Sequence, residues 1–147
     1  MPSCRATARS AASPAAVFAL LADVSTWSRW GAWERATLEA EAPEGGGGVG
    51  AIRVLESRTF GQVVVSRERV EELVPERRVR YTLLSGLPLV DYHGVVELEP
   101  DGAGGTRIAW SSTFAPAVWG TGWLYRVILQ RFLTRTVDAV ARAAEAG

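Results

Sequence analysis

The chain has no lysine and no asparagine, and only one cysteine, one histidine and one methionine. Each shortage excludes something. A single Cys4 rules out an internal disulfide and any cysteine-based metal cluster. With His93 as the only histidine, a structural zinc site, which takes roughly four His, Cys or carboxylate ligands, lacks its donors. No metal or other cofactor is expected. Neither sign of charge dominates: 16 basic residues face 16 acidic ones. That balance argues against a nucleic-acid binder working by phosphate neutralisation. No apolar run approaches the roughly 18 residues that span a bilayer, so no integral membrane segment is expected. The apolar run from Ala15 to Ala22 comes late and is followed by Asp23, not by a small-residue cleavage site. The expectation is a soluble, cytoplasmic protein. Arginine without lysine, beside abundant Ala, Gly and Val, reads as the codon bias of a GC-rich, bacterial genome.

What is present is a hydrophobic fraction of 48% in 147 residues, enough for one core, and a single domain over residues 1–147 is expected. The stretch from Trp119 to Ala146 reads as one long helix. Leu129, Phe132, Leu133, Val137, Val140, Ala141 and Ala144 recur at three- and four-residue steps, against Arg131, Arg135, Asp138, Arg142 and Glu145. Carried back toward the N-terminus, the same arc passes through Gln130, Arg126, Trp123 and Trp119. Those residues are expected to face inward, over a cavity. Leu124, Val127 and Ile128 would then face outward, at a portal or at a homodimer contact.

Residues 4–11 read as a strand. Ser13-Pro14 reads as a capped helix start, and Asp23-Val24-Ser25 as the start of a second short helix carrying Trp27, Trp30 and Trp33 on one face. Residues 35–41 read as a strand ending at Pro43, and Glu44 to Gly48 as a hairpin tip. Further strands are placed near 50–58, 62–73, 77–86, 91–99 and 105–114. The breaks are Phe60-Gly61, Pro75-Glu76, Gly86 to Pro88 and Pro100 to Gly105. Such short breaks imply an antiparallel meander. Period-two alternation puts Ile108, Trp110, Ser112 and Phe114 on one face, with Val79, Tyr81 and Leu83, and with Tyr92, Gly94, Val96 and Leu98. In 62–73 the inner set is Val64, Ser66, Glu68 and Val70, although Val63 and Val65 fit the other face. A long antiparallel sheet with two small helices near its start and one long helix at its end is an α+β arrangement.

The motifs Ser13-Pro14-Ala15-Ala16-Val17-Phe18, Asp23-Val24 with Trp27 and Trp30-Gly31, Arg69 through Val79, and Gly105-Thr106-Arg107-Ile108-Ala109-Trp110 follow one another in an order that resembles the START-like (SRPBCC) superfamily, in particular its polyketide cyclase/dehydrase and lipid-transport group. The resemblance covers nearly the whole chain. It implies a helix-grip fold of the START/Bet v 1 kind, a curved sheet of about seven strands around the C-terminal helix with a cavity between them. It also implies a small hydrophobic ligand: a lipid, a polyketide or another aromatic molecule.

On the face assignments, the cavity wall would comprise Tyr81, Tyr92, Trp110 and Ser112 from the sheet, Trp119, Trp123, Arg126 and Gln130 from the helix, and Glu68 in addition. An aromatic lining with a few polar groups is the usual make-up of a small-molecule site. Arg126 could hold a ligand anion, pair with Glu68 or reach out to water. His93 shares a strand face with Asp91, Glu97 and Glu99 and reads as a surface residue; no catalytic set is marked. Three functions stay open: a non-catalytic carrier, a cyclase or dehydratase using the same cavity with Arg126, Tyr81 or Tyr92 assisting, and a module that binds a protein partner.

Overall fold

The computed structural model describes residues 3–59 and 61–146. Strand β1 (Ser3–Ser10) leads into helix α1 (Pro14–Ala22), a 3-10 turn (Val24–Thr26) and helix α2 (Trp27–Trp30). Six strands follow: β2 (Arg35–Ala40), β3 (Ile52–Thr59), β4 (Gln62–Val74), β5 (Arg78–Ser85), β6 (Leu89–Pro100) and β7 (Thr106–Pro116). Helix α3 (Gly122–Ala146) closes the chain. The strands form one antiparallel sheet in the order β1-β7-β6-β5-β4-β3-β2. Six strands thus meander, and β1 joins beside the last of them. The expected break at Phe60-Gly61 falls partly outside the described residues, at Phe60.

Local chemistry sets the entry to the sheet. The Ser13 hydroxyl accepts a hydrogen bond from the Ala16 N–H at 3.2 Å, with Pro14 at the first helical position, where its missing N–H costs nothing. Asp23 then accepts from the Ser25 N–H at 3.0 Å. These caps turn the chain twice and bring Trp27 back under α1, where its indole N–H donates to the Leu20 carbonyl at 3.0 Å. Trp33 lies beyond α2, so it does not share a helical face with Trp27 and Trp30. The three still cluster: ring centroids lie 4.9 Å apart for Trp27–Trp33 and 5.6 Å for Trp30–Trp33.

The buried face of the sheet follows the expected alternation. Ile108, Trp110, Ser112 and Phe114 of β7 point inward with Val79 and Tyr81 of β5 and Tyr92, Val96 and Leu98 of β6. In β4, Glu68 and Val70 are buried whereas Val63 and Val65 are exposed. β6 carries a bulge between Val90 and His93, with Asp91 at φ +51°. A bulge inserts one residue and reverses the alternation beyond it, so Tyr92 turns in against Phe114 while Val90 turns out.

Helix α3 departs from its expected course in two ways. It begins at Gly122, because Gly120 sits at φ +85° and ends any helical path. Trp119 therefore lies in the preceding turn, 97% exposed. The buried arc also rotates along the helix. In the second half it runs through Leu133, Val137, Val140, Ala141 and Ala144, but in the first half it runs through Leu129 with the half-buried Tyr125 and Phe132. The cause is the edge of the sheet. α3 lies along β1, where the Gln130 amide donates to the Arg5 carbonyl at 2.8 Å and accepts from the Arg5 N–H at 3.3 Å. Ser10 donates to the Ala141 carbonyl at 2.7 Å. Gln130 thus satisfies free backbone groups of an edge strand, a protection against edge-to-edge pairing, and does not face the interior between sheet and helix.

Candidate ligand site

Five of the expected wall residues meet inside the sheet: Glu68, Tyr81, Tyr92, Trp110 and Ser112 are all buried. Strand register brings them together. Ser112 pairs with Gly94 and Cys4, and Gly94 with Tyr81, so one row crosses four strands. Gly94 decides the shape of that row. A Cβ placed on it would lie 2.1–2.5 Å from the Tyr81 ring and hydroxyl. Only a glycine lets Tyr81 lie flat across β6, where its hydroxyl accepts the Trp110 indole N–H at 2.9 Å and its ring sits 6.4 Å from that of Tyr92.

The other four residues are elsewhere. Trp119 and Trp123 are 97% and 70% exposed. Arg126 is exposed, and Gln130 binds the β1 edge. Trp123, Arg126 and Gln130 do come together with Val127 and Arg131, around an open depression of about 450 Å³ on the outer side of α3. His93 lies on the surface, with its Nδ1 3.5 Å from the Glu71 carboxylate and 46% of its side chain exposed. Cys4 is buried and donates its S–H to the Arg126 carbonyl at 3.3 Å. Burial pushes its thiol up, the opposite of what a nucleophile needs.

Sequence reasoning missed Arg53. It is 0% exposed, although it is charged. One arm of its guanidinium donates to the Leu21 carbonyl at 3.2 Å, and its central carbon lies 4.8 Å from the centroid of the Trp27 ring, within cation–π range. It sits directly opposite Glu68 across β3 and β4. Its other arm (Nη1), Glu68 Oε1 and Ser112 Oγ are buried and make no well-formed hydrogen bond among the described residues, although Ser112 lies close enough to the Tyr92 hydroxyl to influence it. Each such atom costs on the order of 1–3 kcal/mol when left unpaired, so each of the three gains from a polar partner.

The electrostatics follow from burial. Desolvation pushes the Glu68 carboxyl up to about 7, against the pull of Arg53. Burial pushes Tyr92 up to about 12 and raises Tyr81 as well, so both phenols are hydrogen-bond donors at neutral pH and not bases. Glu68 can be read out by pH. Its folded-state value lies above its ordinary one, so the folded chain holds this proton more tightly than the unfolded one. The resulting stabilisation is complete below the ordinary glutamate range and is lost as pH rises through about 7. Glu68→Gln removes this term. From about pH 5 to about pH 8, wild type should lose on the order of 2–3 kcal/mol relative to the variant, as measured by urea unfolding at both pH values. A difference that does not change with pH would show that Glu68 titrates as an ordinary carboxylate.

A curved antiparallel sheet, a long C-terminal helix and an interior wall of aromatic and polar side chains define the helix-grip class of ligand-binding folds. Among solved structures, the chain resembles a START superfamily protein from Mycobacterium smegmatis, with a TM-score of 0.84 and 15% identity over 98% of this chain and 97% of that one. It also resembles the Zhui aromatase/cyclase from Streptomyces sp. R1128, with a TM-score of 0.78 and 19% identity over 97% and 93%. A protein from Thermobifida fusca gives a TM-score of 0.78 and 23% identity over 99% and 95%. No curated protein matches the chain by sequence. The family model for polyketide cyclase / dehydrase and lipid transport matches residues 1–145, and the chain belongs to that family. Among the described residues, no helix is long and apolar enough to cross a membrane.

Proposed function

We propose that the chain is a single ligand-binding domain, working in the cytoplasm, that holds a small hydrophobic molecule between the sheet and α3. The guest's polar end lies at Arg53, Glu68 and Ser112, and its apolar body lies against Tyr81, Tyr92 and Trp110. The observation that carries this reading is the trio of buried polar atoms without a well-formed hydrogen bond, Arg53 Nη1, Glu68 Oε1 and Ser112 Oγ. They offer a cationic donor, an acid/base carboxyl and a hydroxyl, a set suited to the oxygen atoms of a phenol, enol or ketone. The family and the aromatase/cyclase neighbour support an aromatic or polyketide-like guest. Native mass spectrometry of the purified protein, followed by denaturing extraction, tests for such a guest directly. The expected result is an oxygenated apolar molecule that Ser112→Val weakens at least fivefold in a competition titration. A guest whose affinity is indifferent to Ser112→Val and Glu68→Gln would refute the placement.

One observation favours a second reading, catalysis by the same site. Glu68, pushed up to about 7, is tuned for proton transfer near neutral pH, and Tyr81 could donate to a carbonyl that is enolising or losing water. Incubation of a recovered guest separates the two readings: a carrier returns it unchanged, a cyclase returns a cyclised isomer of the same mass, and a dehydratase returns it lighter by one water.

A further inference from the structure

The turn before α3 exposes Val118 and Trp119, and the outer side of α3 exposes Trp123, Leu124, Val127 and Ile128. Burying none of these while leaving two tryptophans 97% and 70% exposed is costly for a surface that faces only water, because contiguous apolar patches mark contact sites. At about 100° per residue, Trp123, Val127, Leu124 and Ile128 occupy one arc of the helix, and Arg131 and Arg135 continue the same arc one to two turns on. Arg126 and Arg131 border the 450 Å³ depression beside Trp123. From Ile108 to Val137 the charged residues are Arg126, Arg131 and Arg135, all cationic. The Arg142–Asp138 ion pair, 3.8 Å, lies toward the far end of the helix.

We infer that this face docks on an anionic lipid surface, with Trp119 and Trp123 inserted at the headgroup level and Arg126, Arg131 and Arg135 against lipid phosphates. The charge pattern selects this occupant. Tryptophan prefers the membrane–water boundary, and a helix with an apolar arc edged by arginine lies in the interface plane. Each arginine near an anionic leaflet adds to the attraction. A second copy of the chain fits less well, since a twofold contact sets a patch against itself, Arg131 and Arg135 included, and the nearest acidic residue on that arc, Asp138, is already paired with Arg142. The inference does not depend on what the interior binds.

Flotation of the full chain with phosphatidylcholine vesicles, with and without phosphatidylglycerol, tests it. Wild type should float with the anionic vesicles, at least tenfold more than with the neutral ones, and added salt should release it. Trp119→Ser with Trp123→Ser should abolish flotation. Arg126→Gln, Arg131→Gln and Arg135→Gln together should abolish the preference for anionic lipid. All five positions are exposed or lie before the helix, and circular dichroism checks that each variant remains folded. Absence of flotation, or flotation unchanged in both variants, overturns the inference. So does a dimer in light scattering that the tryptophan pair of substitutions dissociates, which would assign the face to a second copy.

Discussion

Arg53→Ala should destabilise the protein by about 2–5 kcal/mol, the usual range for truncating a large, fully buried side chain. Three losses combine. The Leu21 carbonyl loses its donor at 3.2 Å, the Trp27 ring loses a cation 4.8 Å from its centroid, and Glu68 keeps a buried carboxyl with no cation across the strand pair. Because the third loss belongs to both residues, the double variant Arg53→Ala, Glu68→Gln should be more stable than the sum of the single effects predicts, by on the order of 1 kcal/mol or more. Urea unfolding of all four proteins measures this. Additive effects would mean that Arg53 and Glu68 are independent, and the polar centre would then be two separate buried groups.

Gly94→Ala should have an effect of similar size for a purely steric reason. The added methyl would occupy space now held by the Tyr81 ring and hydroxyl, at 2.1–2.5 Å. Tyr81, 4% exposed, cannot retreat without breaking its hydrogen bond from Trp110. Overpacking of this kind costs about 1–3 kcal/mol, and the lost buried hydrogen bond adds about 1 kcal/mol. The expected total is about 2–4 kcal/mol by thermal or urea unfolding, with loss of ligand affinity. Tyr81→Ala in the same chain should remove the clash, so the double variant should be little worse than Tyr81→Ala alone. If Gly94→Ala cost as much in the Tyr81→Ala background, backbone conformation and not the Tyr81 ring would be what the glycine serves.

These residues also show how far the sequence could be read. The inner faces of β5, β6 and β7 are long, regular and apolar on one side, so alternation alone placed Tyr81, Tyr92, Trp110 and Ser112, and Glu68 came with them through Val70. Arg53 could not be found that way. On β3 it alternates with Leu55 on one face, against Ile52 and Val54 on the other, so hydrophobicity does not choose between faces. What holds Arg53 inside is its register opposite Glu68 and its seat on Trp27, both of them long-range facts. The helix failed for a related reason. The arc set by Leu133, Val137 and Val140 is correct for the half that lies over the sheet. Carried back one phase, it sent Trp119, Trp123, Arg126 and Gln130 inward. Periodicity has no information about where a helix leaves its sheet, and α3 does so along β1, where Gln130 meets the Arg5 backbone. The positive-φ residues Gly120 and Asp91 explain the other departures, an interrupted helix start and a bulge.

The central claim is that an apolar guest binds against Trp110, Tyr81 and the Arg53–Glu68 centre. Six tryptophans make this testable in one spectrum, since each indole N–H gives its own nitrogen–proton resonance. Trp110 donates to Tyr81, Trp27 to the Leu20 carbonyl and Trp30 to the Thr26 hydroxyl, while Trp119 and Trp123 face outward. Titration with 2-naphthol, an aromatic probe carrying one hydroxyl, should move the Trp110 signal first and furthest, with the arginine side-chain signal of Arg53 following, and leave Trp119 and Trp123 unmoved. Saturable shifts confined to Trp119 and Trp123, with Trp110 unchanged, would contradict the account and place ligand binding on the outer face of α3.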